Sequence, residues 1–136
     1  MTAKYFTVDQ ANRTLPLVRR IVIDIVEEYG RWKEHVFRYE LVAAGSSADK
    51  GESVEQVALR EKVDDSAQRI NQFVEELVGI GCVFKGFEEG LVDFRSRLDG
   101  RDVLLCWKLG EESIEYWHEA DAGYAGRQPL PEGSFR

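Results

Sequence analysis

Residues 92–107 read VDFRSRLDGRDVLLCW, and their pattern is the clearest structural signal in the chain. Apolar side chains recur at every second position on both sides of the dipeptide Asp99-Gly100, which is the period of a half-buried β-strand. Asp-Gly favours a two-residue turn, because both turn positions need a positive φ. The segment therefore predicts an antiparallel hairpin with three cross-strand pairs: Phe94 with Leu105, Val92 with Trp107 and Arg97 with Asp102.

Further strands are predicted on both sides of this hairpin. Leu104 and Cys106 make its second strand apolar on both faces, which is typical of a central strand. We expect an earlier strand from Cys82 to Phe87 to join the sheet. The residues that follow Glu119 are rich in Gly, Ala and Pro and predict a loop.

The strand after the hairpin carries a histidine whose orientation depends on the preceding loop. A four-residue loop at 110–113 predicts that Tyr116 lies beside Trp107. The same register predicts that His118 shares a face of the sheet with Leu105, because side chains alternate along a strand.

The chain before Gly79 has a different apolar period. Between residues 15 and 39 the apolar residues are spaced three or four positions apart, which is the period of a helix. A second stripe of this kind runs from 57 to 77, so two helices are predicted. Residues 45–51 have no periodicity and separate the two stripes, so we expect an antiparallel helical hairpin. With the strands that follow, the fold class is α+β: a long antiparallel helical hairpin, then a small antiparallel β-meander.

The first helix is expected to be interrupted shortly after it starts. Thr7 and Gln10 have the spacing of a capping box, in which each side chain binds a backbone N–H near the other. The segment from Asn12 to Pro16 is then expected to break or redirect the chain, because proline disfavours helical geometry in the residue before it.

The length of the chain, 136 residues, suits one domain with its own core. We predict a single domain over residues 1–136. It has a helical half at about 5–79, a β half at about 82–130 and a short C-terminal tail.

Charge and composition limit the partners of the protein. The chain has 25 acidic and 18 basic side chains, a formal charge of −7 at pH 7, which disfavours binding to nucleic acid and to anionic membrane surfaces. The sequence shows no secretory signal and no apolar run long enough to cross a bilayer, so we expect a cytoplasmic protein. Cys82 and Cys106 lack the spacing of redox or zinc motifs and predict buried, reduced thiols.

Polar side chains concentrate where the last predicted strand ends. His118 is followed by Asp121 and Arg127 across a loop whose glycines allow close approach of the backbone to a ligand. Three roles fit this set: a structural cluster of mutually paired groups, a ligand site, or a catalytic site. The candidate ligand-binding residues are His118, Asp121 and Arg127, with Trp107, Tyr116 and Trp117 as an apolar wall.

The guanidinium of Arg127 favours an anion over a metal ion as the ligand, because positive charge opposes metal binding. If a metal is bound, the residues to hold it are His118, Glu119 and Asp121, although alternation along the strand sends Glu119 to the other face. No motif identifies a cofactor.

Two classes of function remain open. The leading hypothesis is a non-enzymatic binding or interaction protein that forms a homo-oligomer and holds a small anion or a metal beside His118. Self-association is expected because the first helix has apolar residues off its main stripe: Leu17, Val22, Val26 and Phe37. The alternative is a small enzyme with His118 as general acid or base, Asp121 orienting it and Arg127 stabilising negative charge, all converging in an open pocket.

Two segments resemble a prokaryotic family. The first runs from Tyr5 to Pro16, and the second runs from Gly90 to Leu130 and includes Tyr116-Trp117-His118 and Gly126-Arg127-Gln128-Pro129. They are similar to the family catalogued as domain of unknown function 2203, over about Tyr5 to Leu130. The resemblance implies no activity. It does imply that the Trp-His and Gly-Arg-Gln-Pro segments belong to the family pattern, which adds weight to His118 and Arg127.

Overall fold

Two helices and five strands follow one another in a computed structural model that describes residues 4–46 and 50–131. The strands form one antiparallel sheet in the order of the chain, which confirms the predicted α+β class with a helical hairpin and a meander. Residues 47–49 of the predicted loop and 132–136 of the predicted tail lie outside the described residues. The elements are α1 Val8–Ala44, α2 Val54–Ile80, β1 Cys82–Gly86, β2 Leu91–Leu98, β3 Arg101–Lys108, β4 Tyr116–Glu119 and β5 Gln128–Pro129.

Helix α1 starts as predicted but is not interrupted. Thr7 and Gln10 form the capping box. The predicted break between Asn12 and Pro16 is wrong, because α1 continues through Pro16. An interior proline removes one helical hydrogen bond. Here Leu15 and Val18, on either side of Pro16, are buried in the core, and their packing keeps the segment helical.

A buried carboxylate ties α1 to α2. Glu28 on α1 accepts hydrogen bonds from Nε of Arg31, at 2.7 Å, and from Nε of Arg69 on α2. Burial opposes ionisation of Glu28, but the hydrogen bonds from Arg69 and Arg31 outweigh it and lower the pKa of this carboxyl group. Both helices begin with a capping box, and α2 is capped at its C-terminal end by Gly81, whose φ of 109° lies in the left-handed region that favours glycine. No helix in the described residues has the length and apolar character to cross a membrane.

The central hairpin has the predicted turn and register. Asp99 and Gly100 have φ values of 52° and 77°, as a two-residue turn of this type requires. All three predicted cross-strand pairs are confirmed: Phe94 with Leu105, Val92 with Trp107 and Arg97 with Asp102.

The register of the next strand differs from the prediction by one residue. Tyr116 lies opposite Cys106 rather than Trp107, and His118 lies opposite Leu104. Strand β3 ends at 108 and β4 begins at 116, so seven residues connect them instead of four.

Hydrogen bonds within and beyond this connection hold the longer loop. Trp107 Nε1 donates to the backbone carbonyl of Glu111 at 2.9 Å, and the backbone N–H of Lys108 donates to the Glu111 carboxylate at 2.7 Å. The backbone N–H of Ile114 donates to the side chain of Asn12 on α1 at 2.8 Å. The loop is therefore anchored to the first helix as well as to the end of β3.

The one-residue difference moves the side chains of β4 to the other face of the sheet. The inner face packs against the helices and carries the apolar core. Its buried residues include Val92, Phe94, Leu105, Trp107 and Trp117. Tyr116 and His118 therefore lie on the outer face, turned away from the helices, and the prediction that His118 shares a face with Leu105 and Trp107 is wrong. The predicted C-terminal loop contains β5, which pairs with β4.

Candidate functional site

Three chemically different side chains meet on the outer face of the sheet. Asp93 on β2 pairs directly with Cys106 on β3, and His118 lies on the adjoining strand β4. Their exposed fractions are only 4%, 1% and 2%. A carboxylate oxygen, the thiol sulfur and a ring nitrogen from these residues all lie within 4.8 Å of one another. We call these three residues the outer-face cluster.

The two ring nitrogens of His118 have different partners. Nδ1 lies 2.7 Å from the backbone carbonyl oxygen of Glu119, and Nε2 lies 3.1 Å from Oδ1 of Asp93. A carbonyl oxygen can only accept, so Nδ1 carries a hydrogen and donates it. Nε2 and the Asp93 carboxyl group therefore share one proton between them. Burial raises the pKa of Asp93, and the neighbouring imidazole opposes that rise.

The thiol of Cys106 is kept protonated by its surroundings. Burial, together with the nearby Asp93 carboxylate, raises its pKa to about 11. Cys82, the second buried free cysteine, lies in the core on the inner face, and burial raises its pKa to about 12. The prediction that both thiols are buried is thus confirmed, and the two thiols lie on opposite faces of the sheet.

Arg127 lies beside the cluster but is held by its own partners. Its guanidinium donates two hydrogen bonds to the carboxylate of Glu111, at 3.1 and 2.7 Å, and Nη1 lies 4.0 Å from the sulfur of Cys106. The rings of Tyr116 and Tyr124 lie against the guanidinium, with centroids at 4.0 and 4.6 Å. Burial opposes the charge of Arg127, but the Glu111 carboxylate outweighs it and raises the pKa of this guanidinium.

A cavity of about 260 Å³ opens beside the outer-face cluster. The three cluster residues form part of its wall. The rest of the wall is mostly apolar or small, with one lysine: Lys85, Leu91, Leu104, Ala120, Gly123 and Tyr124. The cluster is therefore buried by neighbouring protein yet lies next to a space large enough for a small ligand.

The residues that the sequence indicated as a site are divided between the two faces. His118, Tyr116 and Arg127 lie together on the outer face. Trp107 and Trp117 belong to the core on the inner face, so they form no wall beside His118.

The two acidic residues after His118 lie apart from its ring. The carboxylate of Glu119 pairs with Arg101. Asp121 is exposed in the turn after β4 and, among the described residues, makes no hydrogen bond or ion pair. The side chains of His118, Glu119 and Asp121 therefore do not converge. Sequence reasoning missed Asp93 and Cys106, although the confirmed hairpin register already placed them opposite each other.

Comparison with known proteins gives one match. Residues 4–130 match the family model described as "Uncharacterized conserved protein (DUF2203)". No curated protein and no solved structure matches the chain.

Proposed function

The chain belongs to the family of domain of unknown function 2203, whose description names no activity. From the geometry of the outer-face cluster we propose that it is a cytoplasmic, non-enzymatic metal-binding protein. The metal is a divalent transition ion, zinc by the chemistry of the donors, and its ligands are Asp93, Cys106 and His118. The observation that carries the proposal is the convergence of three buried donor atoms, one each of oxygen, sulfur and nitrogen, within 4.8 Å.

The donor set suits zinc better than the harder divalent ions. Zinc binds thiolate, imidazole and carboxylate ligands, and sites with three protein ligands leave a fourth position for water or another molecule. Calcium and magnesium prefer oxygen donors alone. The cavity beside the cluster provides room for that fourth ligand.

The geometry of the cluster is close to what a tetrahedral ion requires. Bond lengths of zinc to oxygen, nitrogen and sulfur imply donor–donor separations of about 3.4 to 3.6 Å. Nε2 of His118 and Oδ1 of Asp93 are already 3.1 Å apart, and the farthest pair is within 4.8 Å. Small side-chain rotations therefore suffice, and the divalent ion replaces two protons: the one that this pair shares and the one on the Cys106 thiol.

The surroundings of the ligands support the same assignment. The hydrogen bond from Nδ1 of His118 to the carbonyl of Glu119 fixes the ring with Nε2 towards the cluster, as outer hydrogen bonds commonly do for metal-bound histidines. From the sequence, the positive charge of Arg127 was expected to oppose the binding of a metal ion. The paired carboxylate of Glu111 offsets that charge, and Nη1 of Arg127 is near enough to donate to the sulfur of a Cys106 thiolate.

The enzymatic alternative has less support. The thiol of Cys106 has a pKa of about 11, so in the absence of a metal it is a poor nucleophile at neutral pH. Asp121, the residue expected to orient His118, is exposed, and the contact to Nε2 is made by Asp93 instead.

The metal assignment is tested by titrating the purified protein with Co²⁺, whose visible absorption reports coordination by thiolate. We expect one ion per chain with a sulfur-to-cobalt charge-transfer band, and displacement of Co²⁺ by Zn²⁺. Cys106→Ala is expected to lose the band and to weaken Zn²⁺ binding by at least about 100-fold. Cys82→Ala is the matched control, since it removes the other buried thiol from the opposite face. Failure of the folded wild-type protein to bind Co²⁺ or Zn²⁺, or loss of the band in both variants alike, would overturn the proposal.

Self-association remains part of the proposed function. Of the four off-stripe residues, Val22 is buried and Val26 packs against the core, whereas Leu17 and Phe37 are exposed. Phe37 and Leu41 lie one turn apart on the same side of α1 and are both more than half exposed, and this pair supports a homodimer or larger assembly. We expect light scattering at tens of micromolar protein to report at least twice the chain mass of 15.6 kDa. A monomeric mass at that concentration would contradict self-association.

A further inference from the structure

The cavity beside the outer-face cluster continues into a second cavity. The first has a volume of about 260 Å³ and the second about 320 Å³. Both are lined by Lys85, Leu104 and Ala120, so they are adjoining parts of one groove on the outer face. One end of the groove contains the cluster, and the other end contains Arg95.

The groove contains two cations that form no close ion pair with a carboxylate, although the charge of Lys85 acts on Asp93 and opposes the rise in the pKa of that carboxyl group. Lys85 and Arg95 form no ion pair and donate no side-chain hydrogen bond in the part of the chain that the structure describes. The carboxylate of Asp102, which also lines the second cavity, is already engaged. It accepts hydrogen bonds from Tyr5 at 3.0 Å and from Arg97 at 3.2 Å. The available charge in this part of the groove is therefore positive, in a protein whose overall charge is negative.

The spacing of residues along β2 sets the distance between the positive end of the groove and the proposed metal. Asp93 and Arg95 are two residues apart on the same strand, so both lie on the outer face, with Cα atoms about 6.5 Å apart. A ligand that completes the coordination of a metal at Asp93 and extends along the groove meets the two cations after a few atoms.

We infer that the groove binds a small dicarboxylate, one carboxylate occupying the fourth position of the metal and the other held by Lys85 and Arg95. The inference rests on the proposed metal site. Charge-assisted hydrogen bonds from ammonium and guanidinium groups recognise a carboxylate, and Leu104 between the two ends suits the short carbon chain that joins the carboxylates. Arg127, which the sequence indicated as the anion-binding residue, is not used because its guanidinium already binds Glu111.

The inference is tested by calorimetric titration of zinc-loaded protein with succinate, after the metal content of each sample has been measured. Lys85→Ala and Arg95→Ala are expected to retain one zinc per chain and to weaken succinate binding by roughly 10-fold each. Propionate, which has one carboxylate, is expected to bind at least about 10-fold more weakly than succinate to the wild-type protein. Arg38→Ala is the matched control, because Arg38 is an exposed arginine of α1 that pairs with Glu34.

The outcomes separate the two proposals. A protein that binds zinc but not succinate, or that binds succinate equally well in all three variants, overturns the dicarboxylate inference and leaves the metal site in place. A protein that binds no zinc overturns both.

Discussion

Replacement of His118 by alanine is expected to weaken zinc binding by at least about 100-fold and to destabilise the metal-free protein by about 3 kcal/mol. The first effect follows from loss of a ligand. The second follows because Asp93, of which only 4% is exposed, loses its hydrogen bond with the imidazole, keeps only the thiol of Cys106 as a partner and remains buried beside a new cavity. Competition with a chromophoric chelator measures the affinity for zinc, and urea denaturation without metal measures the free energy of unfolding.

Asp93→Asn distinguishes a role of Asp93 as a metal ligand from a purely structural hydrogen bond with His118. The asparagine amide can still donate a hydrogen bond to Nε2 of His118, so the metal-free protein is expected to lose less than about 1.5 kcal/mol. An amide is a poor replacement for a carboxylate on zinc, so affinity is expected to fall nearly as far as in His118→Ala. Wild-type affinity for zinc in Asp93→Asn would contradict the assignment of Asp93 as a ligand.

Replacement of Phe94 by alanine is expected to lower the free energy of unfolding by about 3 to 5 kcal/mol. Phe94 is fully buried at the centre of the inner face, and its ring meets the ring of Phe6 edge-on, with centroids 5.2 Å apart. Truncation leaves a cavity between the sheet and the segment that precedes α1. Urea denaturation of the metal-free protein at equal protein concentrations measures the loss.

Val78→Ala provides the control, since it also truncates an apolar side chain to alanine, at a residue of α2 with 62% of its surface exposed. The expected change in the free energy of unfolding is within about 0.5 kcal/mol. Similar losses in the two variants would show that Phe94 does not occupy the core position that the structure gives it.

The parts of the fold that the sequence predicts well depend on local signals. The turn at Asp99-Gly100 fixes the register of β2 with β3 through the φ values of two adjacent residues. The capping box at Thr7 and Gln10 is equally local. Pro16 misled the prediction because its helical state is decided by the burial of its neighbours in the core, which a local preference does not report.

The site was only partly predictable, for a related reason. The pairing of Asp93 with Cys106 could have been predicted. The predicted hairpin sets Asp93 opposite Cys106, and a strand that is apolar on both faces implies that its outer face is also covered. A carboxylate on that covered face is buried and needs a partner. The partner itself, His118, was assigned to the wrong face, because the loop before β4 makes contacts that are not local, including the hydrogen bond from Ile114 to Asn12, far away in the sequence.

The hydrogen bond between Ile114 and Asn12 also bears on the order in which the molecule folds. It joins residues 102 positions apart, whereas the hairpin of β2 and β3 closes through two adjacent residues. Contacts so distant along the chain form late, because closing a long loop costs entropy that only later packing offsets. The hairpin can therefore form early with Asp93 and Cys106 already paired. We expect His118 to reach its final position only after the first helix has docked, so that β4 completes the site late in folding.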